Sequence, residues 1–432
     1  MRYRFVFPFL LLMLIFATTT PLHLEGEGSV ASQNANDPIG WAIPTNLSTT
    51  QAPSEGADIA VLGRSVYIVW QEGSPSEVYF RKSTDGGWTW HEKKNISQTP
   101  GTSQQPSITA DSNAIYVVWS ENVEEDYDVY FSKSFDGGDN WSDPKAIAIT
   151  AEESAGPVVA VDNEGGVHVL WEELSTSTNK YTISHSRSFD GGENWSSPFK
   201  ISTSDLLDCL RPSLTVDGKG YLHAVWDVED RYGLYVHYKR STDGGESWPH
   251  PSEEEEDISK DIGGGSASHP DITADGGDNI YVVWNTCEIC GSENNYVVHY
   301  RKSEDSGDGW LIPGNSALAN TYQPDPIYHF PLPKVVTNSK GDVFVFWQDG
   351  FEKGGNYAIF YSFSNDGGAS WSSPSVVVGS SDADAERVAV AVDSDDNIHI
   401  AWQQRVSGEW DVFYSRTLPF SIFLPIAFKN FP

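Results

Sequence analysis

Cysteine is scarce, with 3 in 432 residues, so a disulfide framework of the kind that holds small secreted domains cannot account for the fold. Positive charge is scarce too. There are 27 Lys+Arg against 61 Asp+Glu, a formal net charge of −34, which argues against nucleic acid or an anionic membrane surface as partner, because phosphates would be repelled. No Gly-rich phosphate loop opens a helix and no His-x-x-x-His pair occurs, so neither cofactor nor metal is expected. The one long apolar run, Phe5 to Phe16, falls short of the about 20 residues that span a bilayer. Against these shortages stand 16 Trp, 19 Tyr and 20 Phe, a bias that favours strands over helices. With 39% hydrophobic residues the chain can bury a substantial core.

The two ends read as appendages. Arg2 and Arg4 precede the apolar run and small polar residues follow it, the order of a secretory signal. We expect residues 1–24 to be a signal peptide, with an uncleaved anchor as the other reading, and 25–38 to be a flexible linker. No Cys follows the run to take a lipid anchor. The expected protein is secreted, extracellular and monomeric, with no membrane span once the signal is removed. The tail 418–432 is apolar and reads either as packed on the body or as a sorting segment. Cys287 and Cys290 have the C-x-x-C spacing. Zinc would need a second such pair or nearby histidines, so a local disulfide in a loop is the better reading, with Cys209 left over.

One octapeptide recurs six times, from Ser83-Thr-Asp-Gly-Gly-Trp-Thr-Trp90 to Ser364-Asn-Asp-Gly-Gly-Ala-Ser-Trp371, at intervals of 51, 54, 53, 62 and 61 residues. In such a turn the Asp carboxylate can accept backbone N–H bonds, Gly supplies positive φ, and Trp packs on the sheet. Six equivalent acids have no chemical purpose as catalysts, so Asp85, Asp136, Asp190, Asp243, Asp305 and Asp366 read as structural. Asn140 and Asn194 begin N-x-S sequons inside boxes, and Asn46 and Asn95 begin two more. Around each box lie a strand starting near Pro, an apolar strand ending in Trp, an aromatic strand leading into the box, and a strand following the box Trp. Four strands per unit describe a propeller blade. Seven strands end in Trp (Trp70, Trp119, Trp171, Trp226, Trp284, Trp347 and Trp402), yet there are six boxes. Trp41-Ala-Ile-Pro44-Thr-Asn-Leu47 matches the post-box strands, so it is expected to complete the last blade and hide its edge.

The pattern S-x-D-x-G-x-x-W is that of the Asp box, and the chain resembles the sialidase-like (BNR-repeat) β-propellers along residues 39–417. The expected fold is therefore all-β, a seven-bladed propeller of four-stranded antiparallel blades, against six in sialidases. The resemblance implies that the boxes lie on the rim opposite the pocket. Residues after each second-strand Trp, among them Glu172-Glu173 and Asp227, then become a ring of polar acceptors on the pocket face. The acidic run Glu253–Asp257 reads as solvated. Between blades five and six, Tyr322, Tyr328, His329 and Phe330 offer rings on which a sugar could stack.

Sialidases grip a carboxylate with three arginines and add a Tyr–Glu nucleophile pair and an Asp acid/base. Their first arginine motif has no match ahead of Ser83. Its nearest echo is Arg211, and Arg231, Arg387 and Arg405 fall in blades four and seven. The candidate ligand-binding residues are Glu173, Arg211, Asp227, Arg231, Tyr322, His329, Arg387 and Arg405, with no catalytic residue assigned. The preferred expectation is a non-catalytic binding module for extracellular glycans or another protein. The alternative is an exo-sialidase or other glycoside hydrolase, whose paired carboxylates the sequence does not single out.

Overall fold

A computed structural model describes residues 39–418, apart from 123–125, 149–151, 204, 250–255, 261, 263–264, 290–294, 312–316, 323–329, 351–355 and 380–382. The signal, the linker, the tail beyond Leu418, Cys290, His329 and Glu253–Glu255 therefore lie outside the described residues. Seven four-stranded antiparallel sheets form, with no helix among the described residues. Blade two is typical, with strands Thr102–Ala110, Ile115–Asn122, Tyr127–Ser134 and Lys145–Ala148 paired in sequence order. The innermost strands abut one another around a central channel, the seventh beside the first. In blade seven, Ala385–Val392, Ile398–Val406 and Glu409–Arg416 are followed in the sheet by Thr45–Asn46 from the other end of the chain.

Seven apolar clusters fill the seven gaps between blades, and each second-strand Trp belongs to the gap facing the preceding blade. All seven of these indoles are no more than 1% exposed. Period-2 alternation explains the arrangement: along the second strand of blade three, Trp171 faces blade two and Leu170 faces blade four.

The boxes also join neighbours. Each Asp accepts N–H bonds within its own turn, as Asp136 does from Asp139 and Asn140. Hydrogen bonds from the Asn140 backbone and side chain and from Ser134 hold that carboxyl far below the usual range. Each box Trp packs on the third-strand ring of the preceding blade, for example Trp310 on Tyr238 at 4.9 Å and Trp90 on Tyr414 at 4.7 Å. In four boxes the cation before the box Ser donates onward to the next box: Lys82 to the Gly137 carbonyl, Lys133 to that of Gly191, Arg187 to that of Gly244 and Arg240 to that of Ser306. The sequon amides of Asn140 and Asn194 are bonded to Asp136 and Asp190.

Two boundaries differ from expectation. First strands begin some four residues before the Pro, which marks a bulge inside the strand rather than its start. Outer strands begin a few residues after the box Trp, as at Phe199–Lys200, because the intervening Pro supplies no ladder donor.

Candidate functional site

Six first strands show a register break near their start, between Glu55 and Asp58 in blade one and between Leu210 and Ser213 in blade four, for example. One residue per blade takes positive φ there: Gly56, Gln105, Gly156, Arg211, His269, Leu332 and Arg387. Five of the seven immediately precede Pro. A proline has no N–H to offer the ladder, so a bulge costs least beside it, and the extra residue is turned out of the sheet. These seven positions ring the mouth of the channel on the face opposite the boxes.

The expected ring of free polar acceptors is corrected by this geometry. In six blades the residue after the second-strand Trp faces the following blade, where it accepts the bulge N–H. Gln71 accepts from Gln105 (2.9 Å), Ser120 from Gly156 (3.1 Å), Glu172 from Arg211 (2.6 Å), Asp227 from His269 (3.2 Å), Gln348 from Arg387 (2.7 Å) and Gln403 from Gly56 (3.3 Å). Six of these seven polar groups are thus inter-blade latches, and their side-chain capacity is already partly used. Glu173 is also corrected as a ligand candidate. It is buried, and its carboxylate accepts from Trp171 Nε1 and from Ser154 Oγ at 2.8 Å. It fastens its own blade on the side away from Glu172.

What remains at the mouth is a charged cluster. Arg211 Nε donates to Asp227 Oδ2, and the rest of its guanidinium is partly exposed. Asp227 is fully buried, and its Oδ1 has no hydrogen-bond partner among the described residues. Burial pushes its carboxyl up to about 6, against the pull of Arg211. Burial likewise pushes Glu172 up to about 7 although Arg211 lies beside it. Across the mouth Glu386 is buried and raised to about 7, by burial first and then by Asp384, with Arg387 and Arg405 opposing. His269 stacks on Phe330 at 4.7 Å. Burial, then Arg211, Arg387 and Lys334, lower it to about 3, so its imidazole is neutral at physiological pH. Deeper in the channel, Lys334 Nζ meets Asp271 at 3.0 Å, and Asp271 in turn accepts the Val335 N–H.

The four arginines separate by position. Arg211 and Arg387 both act on His269, and Arg387 and Arg405 both act on Glu386. Arg231 stands apart at the tip of blade four, stacked on Tyr232 at 4.6 Å. Arg405 lies over Trp410 at 4.7 Å and 4.0 Å from Asp384. Tyr322 ends the outer strand of blade five, opposite Asn295. Cys287 is disulfide-bonded, and the buried Cys209 thiol lies 3.9 Å from the Leu207 carbonyl. His269, Lys334 and Glu386 went unnoticed in the sequence. The signal for His269 was the polar residue before a first-strand Pro.

Glu386 gives a test of this electrostatic picture. Its folded pKa lies above the unfolded carboxylate value, so its contribution is full below about pH 4 and is lost as pH rises through about 7. Glu386→Gln is therefore expected to stabilise more at pH 8 than at pH 5, by a difference of about 2 kcal/mol. Melting temperatures of both proteins at both pH values measure it. A larger gain at pH 5 contradicts the assignment.

With the geometry in place, comparisons add the following. A family model described as a BNR repeat-like domain matches residues 35–224. No curated protein matches the chain. Among solved structures, a protein of unknown function from Dyadobacter fermentans DSM 18053 is 13% identical, with TM-score 0.54, over 88% of this chain and 98% of that one. The Hadza microbial sialidase Hz136 is 15% identical, with TM-score 0.51, over 83% and 74%. An ulvan lyase of polysaccharide lyase family PL25, bound to -[GlcA(1-4)Rha3S]-, is 10% identical, with TM-score 0.58, over 85% and 94%. At these identities the likeness is one of fold.

Proposed function

We propose, from the BNR repeat-like match over residues 35–224 and a propeller fold shared with a sialidase, that the chain is an extracellular binding module for acidic saccharides. One observation carries the reading. In a protein of net charge −34, Arg211 and Arg387 are set on strained bulges of blades four and seven and both bear electrostatically on the same neutral histidine. A guanidinium fork matches a carboxylate or sulfate bidentately, and Phe330 beside His269 gives an apolar ring to pack against. Two of the structural neighbours, a sialidase and a lyase bound to a glucuronate-containing saccharide, are in keeping with an acidic ligand. Export rests on the cationic start and apolar run at the N-terminus.

The test is a retention panel of polygalacturonate, chondroitin sulfate and sialyllactose against neutral dextran and cellobiose. Acidic ligands are expected to bind and neutral ones not. Arg211→Ala with Arg387→Ala is expected to weaken the acidic ligands more than tenfold. Equal retention of neutral and acidic ligands, or an undiminished double variant, rejects the reading.

A second reading is glycoside hydrolysis. It is favoured by Glu172 and Glu386, each raised to about 7 and therefore able to hold a proton for a leaving group. Release of reducing ends from any member of the panel, lost in Glu172→Gln or Glu386→Gln, would select it over binding alone.

A further inference from the structure

We propose that the mouth receives a linear acidic polysaccharide as an extended chain, laid from blade four across to blade seven, rather than one terminal sugar. This deepens the acidic-saccharide reading and rests on it.

The cations are not gathered into one pocket. Arginine occupies the outward-turned bulge position only in blades four and seven, the other five blades having Gly56, Gln105, Gly156, His269 and Leu332 there. The same two blades carry an arginine on an aromatic ring at the tip between second and third strands: Arg231 on Tyr232 and Arg405 on Trp410. No other described tip carries such a pair. The middle of the row lies in one electrostatic neighbourhood, because Arg211 and Arg387 both act on His269 while Arg387 and Arg405 both act on Glu386.

The row extends beyond the reach of one sugar. From Asp227 to Arg231 the chain advances four residues along and just past the second strand of blade four, about 13 Å at the usual strand rise. A groove of about 560 Å³ lies beside that tip, lined by Leu206, Leu207, Lys180 and Tyr232 among others. Leu206 is 77% and Tyr232 73% exposed. Glu229 and Asp230 also line the groove and Lys180 is paired with Asp208, so the contribution of this tip to an acidic sugar is the Arg231 guanidinium beside the exposed Leu206 and Tyr232, an apolar surface for the face of the ring. The tip is held in shape before any ligand arrives, since the Tyr232 and Gly233 N–H groups both donate to Asp230 Oδ1 (2.6 and 3.1 Å). Acid groups spaced along a polymer would meet successive cations, whereas a single terminal acid would use only the central pair. Each further contact adds within one chain, so affinity should grow with length.

Calorimetric titration with size-fractionated oligogalacturonates and chondroitin-sulfate oligosaccharides tests this. The hexamer of at least one series is expected to bind at least tenfold more tightly than its dimer. The paired variants Arg231→Ala/Tyr232→Ala and Arg405→Ala/Trp410→Ala are each expected to weaken the hexamer several-fold and the dimer less than twofold. Equal affinity for dimer and hexamer, or equal weakening of both, overturns the extended site while leaving the acidic-saccharide reading standing. Failure of both series to bind at every length overturns the two together.

Discussion

Replacing Gly307 by alanine is expected to destabilise the propeller by about 3 kcal/mol or more, whereas the same change at Gly137 should cost about 1 kcal/mol or less. Both glycines lie in Asp boxes with positive φ, +82° and +69°. They differ in what lies beneath. A methyl on Gly137 meets nothing within 4 Å, while one on Gly307 would come 1.8 Å from the Tyr238 hydroxyl. That hydroxyl is bonded to His223 Nδ1 at 2.8 Å, and the same ring supports Trp310. The phenol cannot withdraw without breaking both contacts in a close-packed gap between blades. The molecule contains its own control, because box five has Ser306 at the position equivalent to Gly137, with φ 56°. Gly137 is therefore a matter of backbone preference, and Gly307 is a matter of space. Urea denaturation of the two variants decides it. Similar midpoints for both would show that the boxes do not bear on the blade before them.

This contrast also shows what the sequence could and could not reveal. The repeat of S-x-D-x-G-x-x-W identifies hairpins, and the Trp-ending strands count blades, because each unit must rebuild the same buried indole. Blade number was legible for that reason. Which blade a given Trp or Gly touches was not, since it depends on the rotation between neighbours and not on any spacing along the chain. Tyr238 and Gly307 are sixty-nine positions apart and belong to different sheets.

The site was legible only in part, for a related physical reason. Arg211 and Arg387 were visible as arginines at the starts of blades four and seven. That both turn out toward the mouth and act on His269 depends on bulges, which turn a single residue out of a strand and leave almost no pattern in period-2 alternation. His269 occupies the same place in blade five, and only the following Pro hints at it. The resemblance placed Glu172 and Glu173 together on the pocket face. The structure separates them because adjacent residues on a strand face opposite gaps, so one meets Arg211 and the other Trp171. Polar residues after each Trp looked like binding groups because their partners, backbone N–H groups of the next blade, are invisible to composition.

Truncating Trp41 and Leu47 together to alanine is expected to cost about 5 kcal/mol or more, by the usual penalties for buried Trp and Leu. It is also expected to make the protein self-associate. Trp41 is 7% exposed between Phe346 and Tyr361, with ring centroids at 6.0 and 5.8 Å, and Leu47 is fully buried against blade seven and blade one. The strand they flank is only two residues long, Thr45–Asn46, opposite Tyr414 and Phe413. So short a ladder does not hold itself in place, and the flanking side chains must do so. Polar contacts add to them: Asn46 Nδ2 and Ser48 Oγ donate to Asp411, and Leu47 N–H donates to the Val412 carbonyl. Once the segment detaches, the Glu409–Arg416 strand bares its N–H and C=O groups as an open edge, which pairs readily with another chain. Sedimentation at several concentrations and a thermal melt separate the two effects. A variant that melts and sediments as wild type does would mean that blade seven is stable with three strands, and that the segment from Trp41 to Ser48 is an ornament on the ring.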